Sequence, residues 1–210
     1  MRRFLTVALL LIGAHVALAQ GLLVGASVGR TSATQHHSQR SFDYDRVHGA
    51  TAAATALVEL FPWLGLQAEA AYAERGGRQG QFYEMRIDYL ELPLLARAAT
   101  PFAYHGLRAV LLGGVSWGVE YRCSGYTVPP TILNRSSPPP GSVPLDCSSQ
   151  RLRYSDRGRV VGGGIQLDHG EYRFSLEARR FRGRDIAGYS CCALTNDATA
   201  ITIGAARRLR

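Results

Sequence analysis

The chain has 210 residues, 46% of them hydrophobic, and a formal charge of +8 carried entirely by arginine, since no lysine occurs. That length suits one domain with a substantial core. The arginines are spread along the whole chain instead of clustering on one face beside stacking aromatics, which argues against a nucleic-acid partner.

The first element is "MRRFLTVALLLIGAHVALAQ", with two arginines, an apolar run from Phe4 and the small-x-small end Ala17-Leu18-Ala19. This is the pattern of a secretory signal peptide over 1–19, cleaved before Gln20. The apolar run is too short for a spanning helix, which needs roughly 20 residues. Export removes nucleic acid from consideration and leaves 22 arginines against 16 acids in residues 20–210.

Beyond the signal, period-2 alternation divides the chain into eight predicted strands. The first, Gly21 to Arg30, places Leu22, Val24, Ala26 and Val28 on one face. A polar connection follows to about residue 48. The second strand, Ala50 to Phe61, is rich in Ala and Thr and ends in a Phe61-Pro62-Trp63 corner. In the third, Leu64, Leu66, Ala68, Ala70 and Tyr72 share a face opposite Gln67 and Glu69.

"RGGRQGQ" reads as the next loop. The fourth strand, "FYEMRIDYLELPLLARA", sets Met85, Ile87 and Tyr89 against Arg86 and Asp88, but Glu91 and Arg97 then fall on the apolar side. A β-bulge between Tyr89 and Glu91 is expected to restore them to the polar face. The fifth strand aligns Leu107, Ala109, Leu111, Val115, Trp117, Val119 and Tyr121, with Arg108, Ser116 and Glu120 facing away.

A proline- and serine-rich connection separates Cys123 from Arg153, too irregular for a core element. The sixth strand spans Ser155 to Leu167, an Asp168-His169-Gly170-Glu171 turn follows, and the seventh is "YRFSLEARRF", Tyr172 to Phe181. Its even positions are apolar or small through Ala178, while Arg173, Ser175, Glu177 and Arg179 occupy the odd ones. After a loop at about 183–197 comes the last strand, "ATAITIGAARRLR".

Strands of about ten residues suit a bilayer, which ~9–11 tilted residues cross. Only a closed sheet keeps every backbone group paired in oil. The expected fold is therefore an all-β, eight-stranded antiparallel transmembrane β-barrel in the outer membrane. Its short turns and both termini belong in the periplasm, and its long loops belong outside.

The apolar faces then meet outer-membrane lipid, and the polar faces meet one another. The lumen charges expected to pair are Glu69, Arg86, Asp88, Glu91, Arg97, Arg108, Glu120, Arg173, Glu177 and Arg179. An eight-stranded barrel is just wide enough to be filled by its own side chains. Trp63, Tyr72, Phe82, Tyr83, Phe102, Tyr104, Trp117, Tyr121 and Tyr172 lie near predicted strand ends, where aromatic girdles form.

"DYLELPLLARAA", Asp88 to Ala99, resembles the Tyr-Leu-Glu-hydrophobic-Pro-Leu-Leu motif of the small outer-membrane β-barrel family that includes PorT-like proteins. The "ELFPWLGLQAEAAYAERG" hairpin and "VVGGGIQLDHGEYRFSLEARRF" extend the similarity. The resemblance implies an outer-membrane barrel without enzymatic activity, some members being linked to protein secretion. The chain departs from many such barrels in ending "ARRLR", without a terminal aromatic.

The cysteines, Cys123, Cys147, Cys191 and Cys192, are even in number and exported, which favours disulfides. Cys123–Cys147 is the preferred bridge; Cys191 and Cys192 either bond each other or each reach toward the other pair. No Cys-x-x-Cys pair occurs, so no metal site is assigned.

His36, His37 and Ser38 raise the alternative of an outer-leaflet lipid hydrolase, with only Asp43 or Asp45 to orient a histidine. Gly114-Val115-Ser116-Trp117-Gly118 matches the letters of a nucleophile elbow but lies within one continuous strand, without the helix that motif needs. No catalytic residue and no cofactor is assigned. The expected role is a monomeric, non-enzymatic barrel that displays residues 31–48, 122–154 and 183–197 for a protein or surface ligand. The alternatives are an accessory component of a secretion machine and, with inside and outside exchanged, a secreted lipocalin-like barrel.

Overall fold

The computed structural model describes residues 21–37, 44–80, 83–127, 143–144, 155–184 and 194–209; the predicted signal peptide lies outside the described residues. Among the described residues nine strands form: β1 Gly21–His37, β2 Val47–Phe61, β3 Leu64–Gln79, β4 Tyr83–Ala99, β5 Leu107–Thr127, β6 Val143–Pro144, β7 Ser155–His169, β8 Tyr172–Arg184 and β9 Leu194–Leu209. β6 is a two-residue ribbon on the far end of β5. The other eight are antiparallel to their neighbours, and pairing of β1 with β9 closes the ring. Closure leaves no unpaired edge, the condition a sheet must meet in hydrocarbon.

One end of the barrel is built from tight turns. Phe61-Pro62-Trp63 joins β2 to β3, and the Trp63 carbonyl accepts from Ala99 N at 2.8 Å, tying that corner to β4. Between β7 and β8, Gly170 has φ +61° with open space around it, so backbone conformation alone selects glycine.

At the other end the strands run well past the ~9–11 residues a bilayer requires. β1 continues to His37, and β3 and β4 form one hairpin turning at Gly80. The predicted loop at 75–81 is mostly strand. Its glycines allow close packing: a Cβ at Gly77 would press on Gln35 and Tyr44 at 3.2 Å.

Side-chain direction follows strict alternation. On β8, Arg173 and Glu177 are buried, while Phe174, Leu176 and Ala178 face outward. On the other strands the outward face carries Leu66, Leu92, Leu111 and Ile203, each more than half exposed, in a continuous apolar band. A water-soluble monomer rarely exposes an apolar patch beyond a few hundred Å².

Aromatic rings frame the band. Phe61 and Trp63 stack with centroids 5.7 Å apart at the turn end, near exposed Phe102, Tyr104 and Tyr172, and Trp117 and Tyr121 mark the opposite rim. Tyr83 departs from that pattern by packing against the inner cluster; Phe82 lies outside the described residues.

The fourth strand corrects the sequence reading. No bulge interrupts β4; its odd residues Met85, Ile87, Tyr89, Glu91, Leu95 and Arg97 all point inward. The irregularity lies across from it on β5, where Asp88 pairs with Arg122 and Tyr89 with Glu120, leaving Tyr121 as the extra residue. Arg86 and Asp88 therefore face outward and do not belong to the lumen. The physical reason is height: this part of β4 stands above the apolar band, so water takes the outer face and the apolar residues pack inside. Met85, Ile87 and Tyr89 form a core there, joined by Tyr44, Tyr83 and Cys123.

Candidate functional site: the ion-paired lumen

The inward face stacks charged layers along the barrel axis. Nearest the turns, Arg173 on β8 donates from Nη2 to Glu59 on β2 at 2.8 Å and from Nε to Asp168 at 2.5 Å. Arg208 Nη1 reaches the other Glu59 oxygen at 2.6 Å. Arg108, on the inward face of β5, donates to the Pro62 carbonyl at 2.7 Å and fastens the β2–β3 corner.

In the middle layer, Arg97 Nη1 donates to Glu177 Oε1 at 2.6 Å, and its Nη2 to Gln166 Oε1 at 3.2 Å. Arg179 forks onto both oxygens of Glu69 at 2.8 Å each and also donates to Glu177 Oε2 at 2.6 Å. Glu177 thus sits between two guanidiniums, and the bidentate geometry at Glu69 is the strong form of such a pair.

The third layer lies toward the loop end. Arg75 Nη2 is 2.6 Å from Glu91 Oε1, and Nη1 is 3.5 Å from Asp156. The Arg75 guanidinium also lies 3.4 Å from the centroid of the Phe181 ring. Phe181 in turn covers Gly158, where a Cβ would meet its ring at 2.4 Å. Asn196 Nδ2 donates to the Tyr89 hydroxyl at 3.1 Å and to Asp156 at 3.0 Å.

A cavity of about 60 Å³ remains between the second and third layers, bordered by Thr31, Thr51, Arg75, Glu91, Arg179 and Thr202. It holds a few waters at most. Ligand pockets for drug-sized molecules are roughly 300–1,000 Å³.

Of the ten charges expected in the lumen, Glu69, Glu91, Arg97, Arg173 and Glu177 are buried there in pairs, Arg179 is paired there and partly buried, and Arg108 and Glu120 are half-buried on the inward face of β5. Arg86 is instead exposed and pairs with Glu84 at 2.8 Å on the outer face, and Asp88 is on that face too.

Sequence reasoning placed Gln67 on the polar face beside Glu69 but missed Glu59, Arg75, Asp156, Asp168 and Arg208, along with Gln166 and Asn196. Parity carried to the strand ends would have found Glu59 and Arg208. Arg75 and Asp168 were hidden by glycine-rich neighbours that read as loop and turn.

Cys123 faces inward, half-buried, while Cys147, Cys191 and Cys192 lie outside the described residues, so the pairing expected of them does too. His36 and His37 lie on β1, paired with Thr195 and Leu194 of β9, and Asp45 bridges to Arg78 of β3. Ser38 and Asp43 fall outside the described residues.

A closed eight-stranded antiparallel barrel with an apolar exterior and an ion-paired interior has the architecture of the small barrels of outer membranes. No protein-family model and no curated protein sequence matches the chain. Among solved structures it is similar to Neisserial surface protein A, at 10% identity over 91% of this chain and 99% of that one, with a TM-score of 0.54. It is similar also to the outer membrane protein OprG from Pseudomonas aeruginosa, at 10% identity over 91% and 97% of the two chains, with a TM-score of 0.55. At these identities the likeness is one of fold.

Proposed function

We propose that the protein is a non-enzymatic outer-membrane barrel, a rigid and non-conducting stem that carries a projecting rim for contact with a protein or surface ligand. The observation that carries this reading is the opposition of the two faces: outward Leu66, Leu92, Leu111 and Ile203 against inward Glu69, Arg97, Glu177 and Arg179. A lipocalin-like barrel requires the reverse. The interior is filled by paired side chains, which favours a plug over a pore.

Termini at the turn end belong in the periplasm, as an even strand count requires. A closed sheet leaves no strand edge to recruit another copy, in keeping with a monomer. The resemblance of Asp88–Ala99 to PorT-like barrels supports the same class of protein. In that motif Glu91 is the carboxylate held by Arg75, and Pro93 borders the small cavity.

Of the segments proposed for display, 31–48, 122–154 and 183–197, the described parts 31–37, 47–48, 122–127, 143–144, 183–184 and 194–197 are strand. These described parts extend the rigid scaffold on which functional loops are usefully mounted. Membrane fractionation with a heat-modifiability gel tests the reading. The folded barrel is expected to sediment with the envelope and to migrate differently when unheated; recovery as a soluble periplasmic protein refutes it.

A further inference from the structure

Just above the apolar band, the outward face of β7 and β8 turns to arginine. The outward series on β7 runs Ile165, Val161 opposite Arg180, then Arg159 and Arg157; on β8 it runs Leu176, Ala178, Arg180, Arg182. All four arginines are exposed. Register sets Arg159 directly opposite Arg182, and on its other side Arg157 faces Trp117 of β5.

Like charges directly opposed across a strand pair are destabilising, and outward positions make no packing demand for a guanidinium. Asp197 answers part of this charge, lying 2.6 Å from Arg180 and 3.5 Å from Arg182. Among the described residues no carboxylate lies within ion-pair distance of Arg157 or Arg159. The turn end differs: there, among the described residues, the exposed outward arginine is Arg207, and it pairs with Glu171 at 3.2 Å.

A ligand seated here meets two surfaces at once. Hydrocarbon-facing Val161, Ala178 and Trp117 form the lower edge, and four cationic forks form the upper. Arginine forks match phosphate oxygens bidentately, and basic side chains at a membrane surface are attracted to anionic headgroups. A soluble polyanion satisfies the upper edge only; a phosphorylated lipid satisfies both.

We propose that Arg157, Arg159, Arg180 and Arg182 form a binding site for the phosphates of a phosphorylated glycolipid in the leaflet at the loop end, its acyl chains lying against Trp117 and Val161. The proposal rests on the outer-membrane reading above. Asp197 shares Arg180 and Arg182, so Arg157 and Arg159 contribute most of the binding.

The test uses the full chain refolded in detergent micelles, with fluorescent bisphosphorylated lipid A as probe and anisotropy as readout. The Arg157→Gln/Arg159→Gln double variant is expected to bind about tenfold more weakly or worse, Arg207→Gln to bind like the parent, and dephosphorylated lipid A to bind weakly to all. Binding of the double variant within twofold of the parent overturns the site. So does equal binding of dephosphorylated lipid A, or a soluble sulfated polysaccharide that competes as well as the lipid does.

Heat-modifiability of each preparation keeps the two readings apart. A parent protein that is not a heat-modifiable membrane barrel refutes the function proposed above, whereas a properly folded barrel whose lipid binding ignores the arginines refutes this site alone. If the double variant fails to fold, the single Arg159→Gln variant carries the comparison, with a weakened affinity expected and an unchanged one decisive against.

Discussion

Removing Arg179 is the sharpest test of an ion-paired lumen. Its guanidinium makes two 2.8 Å contacts to Glu69 and one of 2.6 Å to Glu177, and both carboxylates are almost wholly buried. In Arg179→Met, Glu177 keeps Arg97, but Glu69 is left with Gln67 as its hydrogen-bond donor. Stripping one partner from a buried ion pair costs about 3–5 kcal/mol, because the remaining charge is uncompensated.

Arg179→Met is therefore expected to lose about 3–5 kcal/mol, read by urea unfolding in phospholipid vesicles followed by tryptophan fluorescence. The double variant Arg179→Met/Glu69→Gln removes the stranded charge and should recover at least half of that loss. A single variant within about 1 kcal/mol of the parent would mean that water screens the layer, as at exposed ion pairs. A double variant no better than the single would mean that the cost comes from lost packing and not from charge. Either result refutes the account of the lumen.

The other predictions concern the faces, the rim and the bore. Leu176→Arg, on the lipid side, should cost about 2–4 kcal/mol in the same assay if it sits near the bilayer midplane, whereas Arg86→Leu, on the outer face above the band, should change stability by less than ~0.5 kcal/mol. The hydrogen bond from Arg180 holds the Asp197 carboxyl below the usual carboxylate range, with further help from Arg182. A depressed native pKa stabilises above the unfolded value and loses that contribution as pH falls through the native one. Asp197→Asn should therefore be slightly less stable than the parent at pH 7, with the difference vanishing as pH falls through the depressed native pKa, by unfolding midpoints across pH. In planar bilayers the parent should show no steady open-pore current, and Arg97→Ala/Arg179→Ala should introduce a measurable leak; a large constant conductance from the parent would contradict a filled bore.

Alternation made the fold legible because it is imposed twice over, by lipid on one face and by confined charge on the other. Tyr172 to Phe181 needed no other information: each even residue there is one that oil accepts through Ala178. The same logic failed on β4 because it assumes a single solvent outside. Met85, Ile87 and Tyr89 looked like a lipid face only on the assumption that hydrocarbon reaches that height, and a bulge was then needed to rescue Glu91 and Arg97.

The real bulge, at Tyr121 on β5, leaves no trace in composition, since it is a matter of register between two strands. Arg75 was missed for a related reason. Glycines on either side of a strand end look like turn chemistry, while here Gly76 and Gly77 bring backbones and side chains close together. The lumen partners that come from strands far apart in sequence, such as Arg97 with Glu177 or Arg173 with Glu59, required the closed ring itself to be known.

The reversal along β4, from greasy-outside below Leu90 to greasy-inside at Tyr89 and beyond, fixes where this molecule breaks the surface of its oil. It behaves as two proteins on one set of strands: a membrane plug beneath that waterline and a small water-soluble barrel standing on top of it. A given substitution therefore changes its meaning with altitude. An engineer wishing to graft a new binding patch has the part of the barrel above Tyr89, on which ordinary rules for aqueous proteins apply.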